Sequence, residues 1–345
     1  MKLSVLCAGL ADPHVGWVAI DELATLTARY FDAELLTPRP VAPSWVNRLV
    51  RGGRAGFEPV ATRGGDVLFV VARGPEDLAL IDAVPQARRR FSRIVAWVTD
   101  SYHQAGFGRA TAQYDAITVT AHEDAALPRQ RYGVTAHPLH QGIDTLAWAP
   151  QAEHRREIDL IGFGRTPPSY HAAFVERFHR ADSPHLYLHS PLGHVTGAQV
   201  HAERAMLFKL LQRSSVSLAF HLFVEPQGQR PRSMMVTSRW LESLVSGCIV
   251  AGRRPVSRMA DEMLGWPGAT VELAERPQDA AAQLVELFAQ RDALGEQRRR
   301  NVREMMQRHD WRDRIARMCG LFGWEQPAAL IEDLQRVRER AAAFA

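Results

Sequence analysis

The chain has 345 residues, 46% hydrophobic and 23% charged, with a formal net charge of +4 and a pI near 9.2. That apolar content fills two cores of about 150 residues each and excludes a disordered chain. The small positive excess suits an anionic substrate or surface without requiring nucleic acid. Only Lys2 and Lys209 are lysines, so contacts to phosphate fall to arginine forks or backbone N–H groups. Cys7, Cys248 and Cys319 are far apart in apolar stretches, which reads as buried thiols in a reducing compartment, with no paired-cysteine zinc motif. The first ten residues carry one charge and too short an apolar run for an export signal. No run approaches the roughly 18 residues of a spanning helix, so a cytoplasmic protein is expected.

In chain order, short apolar, β-branched runs at Leu3 to Cys7, Ala33 to Leu36, Val67 to Val71, Ile94 to Val98, Ala116 to Val119 and Thr135 to Leu139 predict strands. Helix-like segments such as Trp17 to Tyr30 and Glu76 to Val84 separate them. This alternation predicts a parallel sheet covered on both faces. The segment His140 to Pro150 and the polar run Gln151 to Glu157 interrupt it, and a domain boundary is placed there. Strands then resume at Ile158 to Gly162, His185 to His189, Val216 to Ala219, Cys248 to Ala251 and Thr270 to Leu273, with amphipathic helices at Ala280 to Gln290 and Gln297 to His309. Residues 325 to 343 read as a closing helix. No internal repeat appears at a period of about 20 to 50 residues.

The most specific stretch is Thr237-Ser-Arg-Trp-Leu-Glu-Ser-Leu-Val-Ser-Gly-Cys-Ile-Val-Ala-Gly252. On a helical period Val236, Trp240, Leu241, Leu244 and Val245 share one side, and Arg239, Glu242 and Ser246 share the other, so one face is expected to pack and the other to bind. Thr237 or Ser238 suits the cap, Gly247 suits a left-handed end, and Cys248 to Ala251 suits a covered strand. A helix start favours phosphate, and a carboxylate one turn further on can accept hydrogen bonds from ribose hydroxyls.

This motif resembles the C-terminal-domain signature of the group 1 glycosyltransferases of GT-B fold, within them the CgeB-like spore-coat maturation branch. Gly142-Ile-Asp with Trp148 and Pro150 resembles the hinge that ends the family's first domain. Arg276-Pro-Gln-Asp and His309-Asp-Trp-Arg resemble its late helices and closing motif. The resemblance implies two Rossmann-like parallel-sheet domains facing a central cleft: an acceptor-binding domain over 1–150, a nucleotide-sugar-binding domain over 151–322, and a helix over 323–345 that crosses back. It implies that Glu242 holds the ribose of a UDP- or GDP-linked sugar, with the diphosphate near Thr237, Ser238 and Arg239, and that no metal or other cofactor is needed. Two departures stand out. Met234 occupies the place of a second acidic residue, and no lysine matches the family's phosphate contact. Gly164 and Arg165, after the first strand of the second domain, are the natural substitutes, with Arg230 and Arg232 as further candidates. Gly162-x-Gly164 also suggests a dinucleotide fingerprint with Asp182 downstream, but Pro167 stands at its third glycine.

Loops at the C-terminal ends of the N-terminal strands supply the candidates for chemistry on the acceptor. Asp12 and His14 follow the first strand, Asp100 and His103 the fourth, and Ala121 to Glu123 the fifth. An inverting reaction needs one such group to deprotonate the acceptor hydroxyl, whereas in a retaining one the departing phosphate can take the proton. The acceptor class stays open among glycan, lipid, polypeptide, natural product and nucleic acid. Residues 44–57 interleave Trp45, Leu49 and Val50 with Arg48, Arg51 and Arg54, which suits a peripheral membrane contact or an ordinary solvated helix face. His185, His189, His194 and His201 form a loose group without helical metal spacing. Two rival functions share this architecture: an NDP-sugar 2-epimerase, and a degenerate transferase acting as a binding module.

Overall fold

The computed structural model describes residues 1–41, 56–152, 154–189, 195, 197–225, 233–290 and 292–345. The apolar runs form two parallel sheets, each within one of two compact units. Met1–Gln141 with Thr196–Val200 and Arg314–Glu332 make the first unit; Gly142–Val195, His201–Asp313 and Asp333–Ala345 make the second. These are the parallel-sheet, Rossmann-like domains expected of the chain.

In the first unit the strands are β1 (Leu3–Leu6), β2 (Glu34–Leu36), a short antiparallel pair β3 (Pro40–Val41) and β4 (Gly56–Phe57), β5 (Gly65–Ala72), β6 (Phe91–Val98), β7 (Ala116–Val119) and β8 (Thr135–Pro138). The main sheet has the order β2-β1-β5-β6-β7-β8. Its central strands are buried along almost their whole length, as continuous β-branched runs require when both faces are covered. Leu6, Leu68, Val70, Ile94, Ala96 and Ile117 form the middle of the core. The helix after β1 spans Val18–Phe31. Where a helix-like segment over Glu76 to Val84 is expected, Pro75–Ala83 form a nine-residue 3-10 helix. Its three-residue turn brings Leu78 over Ile81 and Leu80 over Ala83, and all four are buried. The β3–β4 pair carried no signal in the sequence. Of the basic segment 44–57, only Gly56 and Phe57 lie among the described residues.

In the second unit the strands are β9 (Ile158–Gly162), β10 (Tyr187–His189), β11 (Ser214–Phe220), β12 (Ile249–Arg253) and β13 (Val271–Glu272), in the order β10-β9-β11-β12-β13. Leu160, Val216, Leu218, Ile249 and Ala251 of the sheet pack on Phe174, Phe178, Leu284 and Phe288. The late helices span Pro277–Ala289, Gly295–His309 and Ala328–Ala342.

The segment read as a hinge is fastened to the second unit. Ile143 N donates to the His309 carbonyl (2.9 Å), and Trp311 N donates to the Ile143 carbonyl (3.1 Å). The buried Asp310 carboxylate accepts from Thr145 N (2.9 Å), Thr145 Oγ1 (2.5 Å) and Arg312 Nη1 (3.1 Å). Arg312 Nη1 also donates to Asp144 (2.8 Å), whose side chain caps the helix Thr145–Trp148. Burial raises the Asp310 pKa, and the Arg312 cation opposes the rise. From the C-terminal helix, Arg340 donates to the carbonyls of Leu146 (2.7 Å) and Ala149 (2.6 Å). Among the described residues no helix is long and apolar enough to cross a membrane.

Arg312→Met removes the cation shared by the carboxylates of Asp144, Asp310 and Asp333 while keeping much of the side-chain volume. Breaking a buried pair from one side costs about 3–5 kcal/mol. Equilibrium urea unfolding should show a loss of that order, and wild-type stability would mean that the network is incidental.

Candidate functional site

In an open α/β sheet, ligands bind beyond the strand ends where the strand order reverses. In the second unit that reversal lies between β9 and β11. Gly162 to Arg165 leave β9 there, and the chain after β11 leads to the helix Ser238–Val245.

Gly164 is exposed with φ +65°, and a Cβ on it would collide with the Arg239 guanidinium. Glycine is therefore needed for the backbone and for the space the arginine fills. Arg239 Nη1 donates to the Arg165 carbonyl (2.9 Å), and its Cζ lies 5.7 Å from the Phe163 ring centroid. Arg239 Nε is enclosed with no hydrogen-bond partner. Burial lowers the Arg239 pKa to about 10; the Glu242 carboxylate opposes that shift and the Arg165 cation adds to it. The guanidinium thus stays cationic at neutral pH. The Arg165 side chain is exposed.

Thr237 occupies the N-cap position in an extended conformation, yet its side chain makes no capping bond and Oγ1 is buried without a partner. Trp240 N donates to the Thr237 carbonyl (3.2 Å), whereas the first N–H groups of a helix have no intrahelical acceptors, so this start keeps its partial positive charge. The neighbouring helix Pro168–Phe178 differs, since the Glu225 carboxylate accepts from Ser169 N (3.0 Å) and Ser169 Oγ. One helix start beside the strand reversal is already occupied by an acid, and the other has no acidic partner among the described residues. Gly164, Arg165, Thr237, Ser238 and Arg239 come together around the open one.

The rest of the helix departs from expectation. Trp240 to Val245 are all buried, including Glu242 and Ser243, so its polar side is not a free face. The polar groups are absorbed by specific partners: Arg204 Nη1 lies 2.5 Å from Glu242 Oε1, and the Ser243 and Ser217 hydroxyls are 2.8 Å apart. Ser246 Oγ donates to the Glu242 carbonyl (2.8 Å). Gly247 ends the helix at φ +73°, and Cys248 N donates to the Ser243 carbonyl (3.0 Å) as the chain enters β12. Met234 is buried, and its carbonyl accepts from Ser257 Oγ (2.9 Å).

Sequence reasoning missed Arg204. Its signal was present in the helix Gln199–Gln212, where Val200, Leu207, Phe208 and Leu211 make the buried stripe and Arg204 stands within it at helical spacing. A cation on an apolar stripe requires a buried anion.

In the first unit the strand order reverses between β1 and β5. Asp12 and His14 are exposed after β1, and His14 Nδ1 accepts from Gly16 N (3.1 Å). Asp100 is half-buried after β6; its amide donates to the Arg73 carbonyl (3.0 Å) and its carbonyl accepts from His103 N (3.1 Å). His103 is exposed and rests on Tyr102. The two pairs sit on loops leaving strands that β5 separates. Sequence reading also missed Arg73, which leaves β5 at the reversal and holds the buried Asp21 at 2.9 Å. Cys7 Sγ donates to the same carboxylate (3.5 Å).

All three thiols are buried, and burial raises the pKa of each. His185 lies 3.8 Å from Asp159, and His189 packs on His171 and His179, where burial lowers its pKa. Asp182 pairs with Arg180 (3.0 Å). Arg230, Arg232 and His194 lie outside the described residues.

Residues 165–320, a little under half of the chain, match a family model described as glycosyl transferase-like. That span contains every residue of the open helix start except Gly164. A lipopolysaccharide outer core galactosyltransferase, WaaB in its apo form, has the same fold: TM-score 0.50 at 10% identity, over 94% of this chain and 99% of that one. AviGT4, a glycosyltransferase involved in avilamycin A biosynthesis, aligns with TM-score 0.48 and 13% identity over 100% of this chain and 99% of its own. A TarM mutant of S. aureus, solved with fondaparinux, alpha-GlcNAc-glycerol and UDP, aligns with TM-score 0.46 and 9% identity over 74% of this chain and 55% of its own. The chain thus spans about half the length of TarM. A search of curated proteins returned no match.

Gly164→Ala forces a side chain into the left-handed region and against Arg239. The conformation alone costs about 1–2 kcal/mol. A lower melting midpoint is expected, and an unchanged one would contradict this packing.

Proposed function

We propose that the protein is a glycosyltransferase of the CgeB-like branch that moves a hexosyl group from a nucleoside-diphosphate sugar to an acceptor. The observation that carries this reading is the open start of the helix Ser238–Val245 beside Arg239 and Gly164, at the strand reversal of the second sheet. The match of residues 165–320 to a glycosyl transferase-like family supports it independently.

Sugar transfer leaves charge on the departing diphosphate, so the site must stabilise two phosphates more strongly as the glycosidic bond breaks. First-turn N–H groups, Thr237 Oγ1, the Arg239 cation and the exposed Arg165 are assigned to that task. With this much fixed positive charge from the chain, the reading requires no metal or other cofactor. Glu242, one turn further along, is assigned to the ribose hydroxyls of a UDP- or GDP-linked donor. The acceptor is assigned to the first unit. Asp12, His14, Asp100 and His103 are the groups there that can take a proton from its hydroxyl in an inverting reaction.

A panel of UDP, GDP, ADP and TDP in a thermal-shift assay tests the donor site, because a ligand bound only by the folded chain raises its melting midpoint. At least one should raise it, and Glu242→Gln, whose amide oxygen can still accept from the buried Arg204, should reduce that shift. No shift with any of the four would refute the donor assignment. With the matching sugar nucleotide, slow release of nucleotide is the mark of a transferase. Change in the sugar alone would show an epimerase, and binding without turnover a binding module.

A further inference from the structure

Glu242 is an unusual choice for a ligand-binding carboxylate because it is only 6% exposed and already faces a cation. Arg204 is itself 2% exposed, with Nη1 2.5 Å from Glu242 Oε1. Its Cζ lies 5.2 Å from the Trp148 ring centroid and 5.0 Å from that of Phe208, and the two rings stack at 4.1 Å with 10° between their planes. Trp148 ends the short helix that Asp310 and Arg312 fasten, and Phe208 lies one turn along from Arg204 on the same helix. A guanidinium confined by two aromatic faces loses little further freedom when it grips a carboxylate.

A buried ion pair placed only for stability gains little over apolar packing of the same volume. This one has a geometric consequence. Arg204 engages Oε1, while Oε2 has no protein partner among the described residues. One carboxylate oxygen is therefore held by a cation that is itself confined, which leaves the other to a ligand, on the helix Ser238–Val245. A carboxylate oxygen has two lone pairs, so Oε2 can accept from two adjacent hydroxyls of a furanose ring, and a pre-oriented acceptor gains from them without first losing its own rotational freedom.

We propose that Arg204 is a positioning residue: it orients Glu242 to accept hydrogen bonds from the 2′- and 3′-hydroxyls, which makes the site selective for ribonucleotides over their dideoxy counterparts. This rests on the donor-site reading above. Arg204 acts through Glu242 and does not touch the nucleotide. Its loss therefore changes discrimination between sugars more than affinity for the diphosphate.

The test is calorimetric titration of UDP and GDP, each beside its 2′,3′-dideoxy form, against wild type, Arg204→Met, Arg204→Lys and the double variant R204M/E242Q. Hydrogen bonds to a charged group discriminate by about tenfold or more, so wild type should prefer the ribo form by that factor. In Arg204→Met the preference should fall toward unity, with a partial return in Arg204→Lys, which restores the charge but not the planar fork. The double variant leaves no buried charge unpaired. It should remain folded and still bind the diphosphate, but without the preference. A wild-type preference retained in Arg204→Met, or in the double variant should the single one not fold, overturns the proposal. So does wild-type binding without any ribo preference, and that result leaves the donor site standing. Failure of wild type to bind either nucleotide overturns both.

Discussion

The second unit is organised around a helix whose positive end has been left open. At Ser238–Val245 the residue in the capping position, Thr237, does not cap, and the nearest cation, Arg239, spends one donor on the Arg165 carbonyl. The remaining local choices protect that arrangement. Gly164 has no side chain where Arg239 lies, and Glu225 occupies the adjacent helix start, where it would otherwise compete for the same anion. Ser243 and Ser246 satisfy themselves within the fold.

A line of contacts ties this place to the end of the unit. Asp310 and Arg312 hold Thr145 and Asp144, and the short helix they fix ends in Trp148. Trp148 stacks on Phe208, both rings confine Arg204, and Arg204 holds Glu242. Each contact is local, and together they explain why Arg204, Asp310 and Arg312 are buried and Trp148 half-buried in one unit. They are supports for the orientation of one carboxylate, and no transmission of signal follows from their adjacency.

Most of the fold was legible because the strands are uninterrupted apolar runs, a pattern that only a doubly covered parallel sheet satisfies. Within the site, Gly164, Arg165, Thr237 and Arg239 were legible for the same kind of reason: glycines and helix starts impose backbone geometry that the sequence displays directly. Glu242 was harder. Helical periodicity assigns it to the polar side, but periodicity cannot show that Arg204 from another helix covers that side. The 3-10 turn at Pro75–Ala83 was missed because three- and four-residue spacings coincide over so short a segment. The first unit was legible only as architecture. Its loops offer Asp12, His14, Asp100 and His103 without a local constraint that singles one out, whereas the pair of buried Asp21 and half-buried Arg73 at its strand reversal joins residues with no sequence proximity.

The central claim is that fixed positive charge at the start of Ser238–Val245 binds the diphosphate of a nucleotide. A crystal structure of the chain soaked with UDP or GDP measures this directly. The account predicts phosphate oxygens within hydrogen-bond distance of the first-turn N–H groups and of Arg239 or Arg165. A nucleotide bound elsewhere, with that helix start still facing only protein or water, would contradict it.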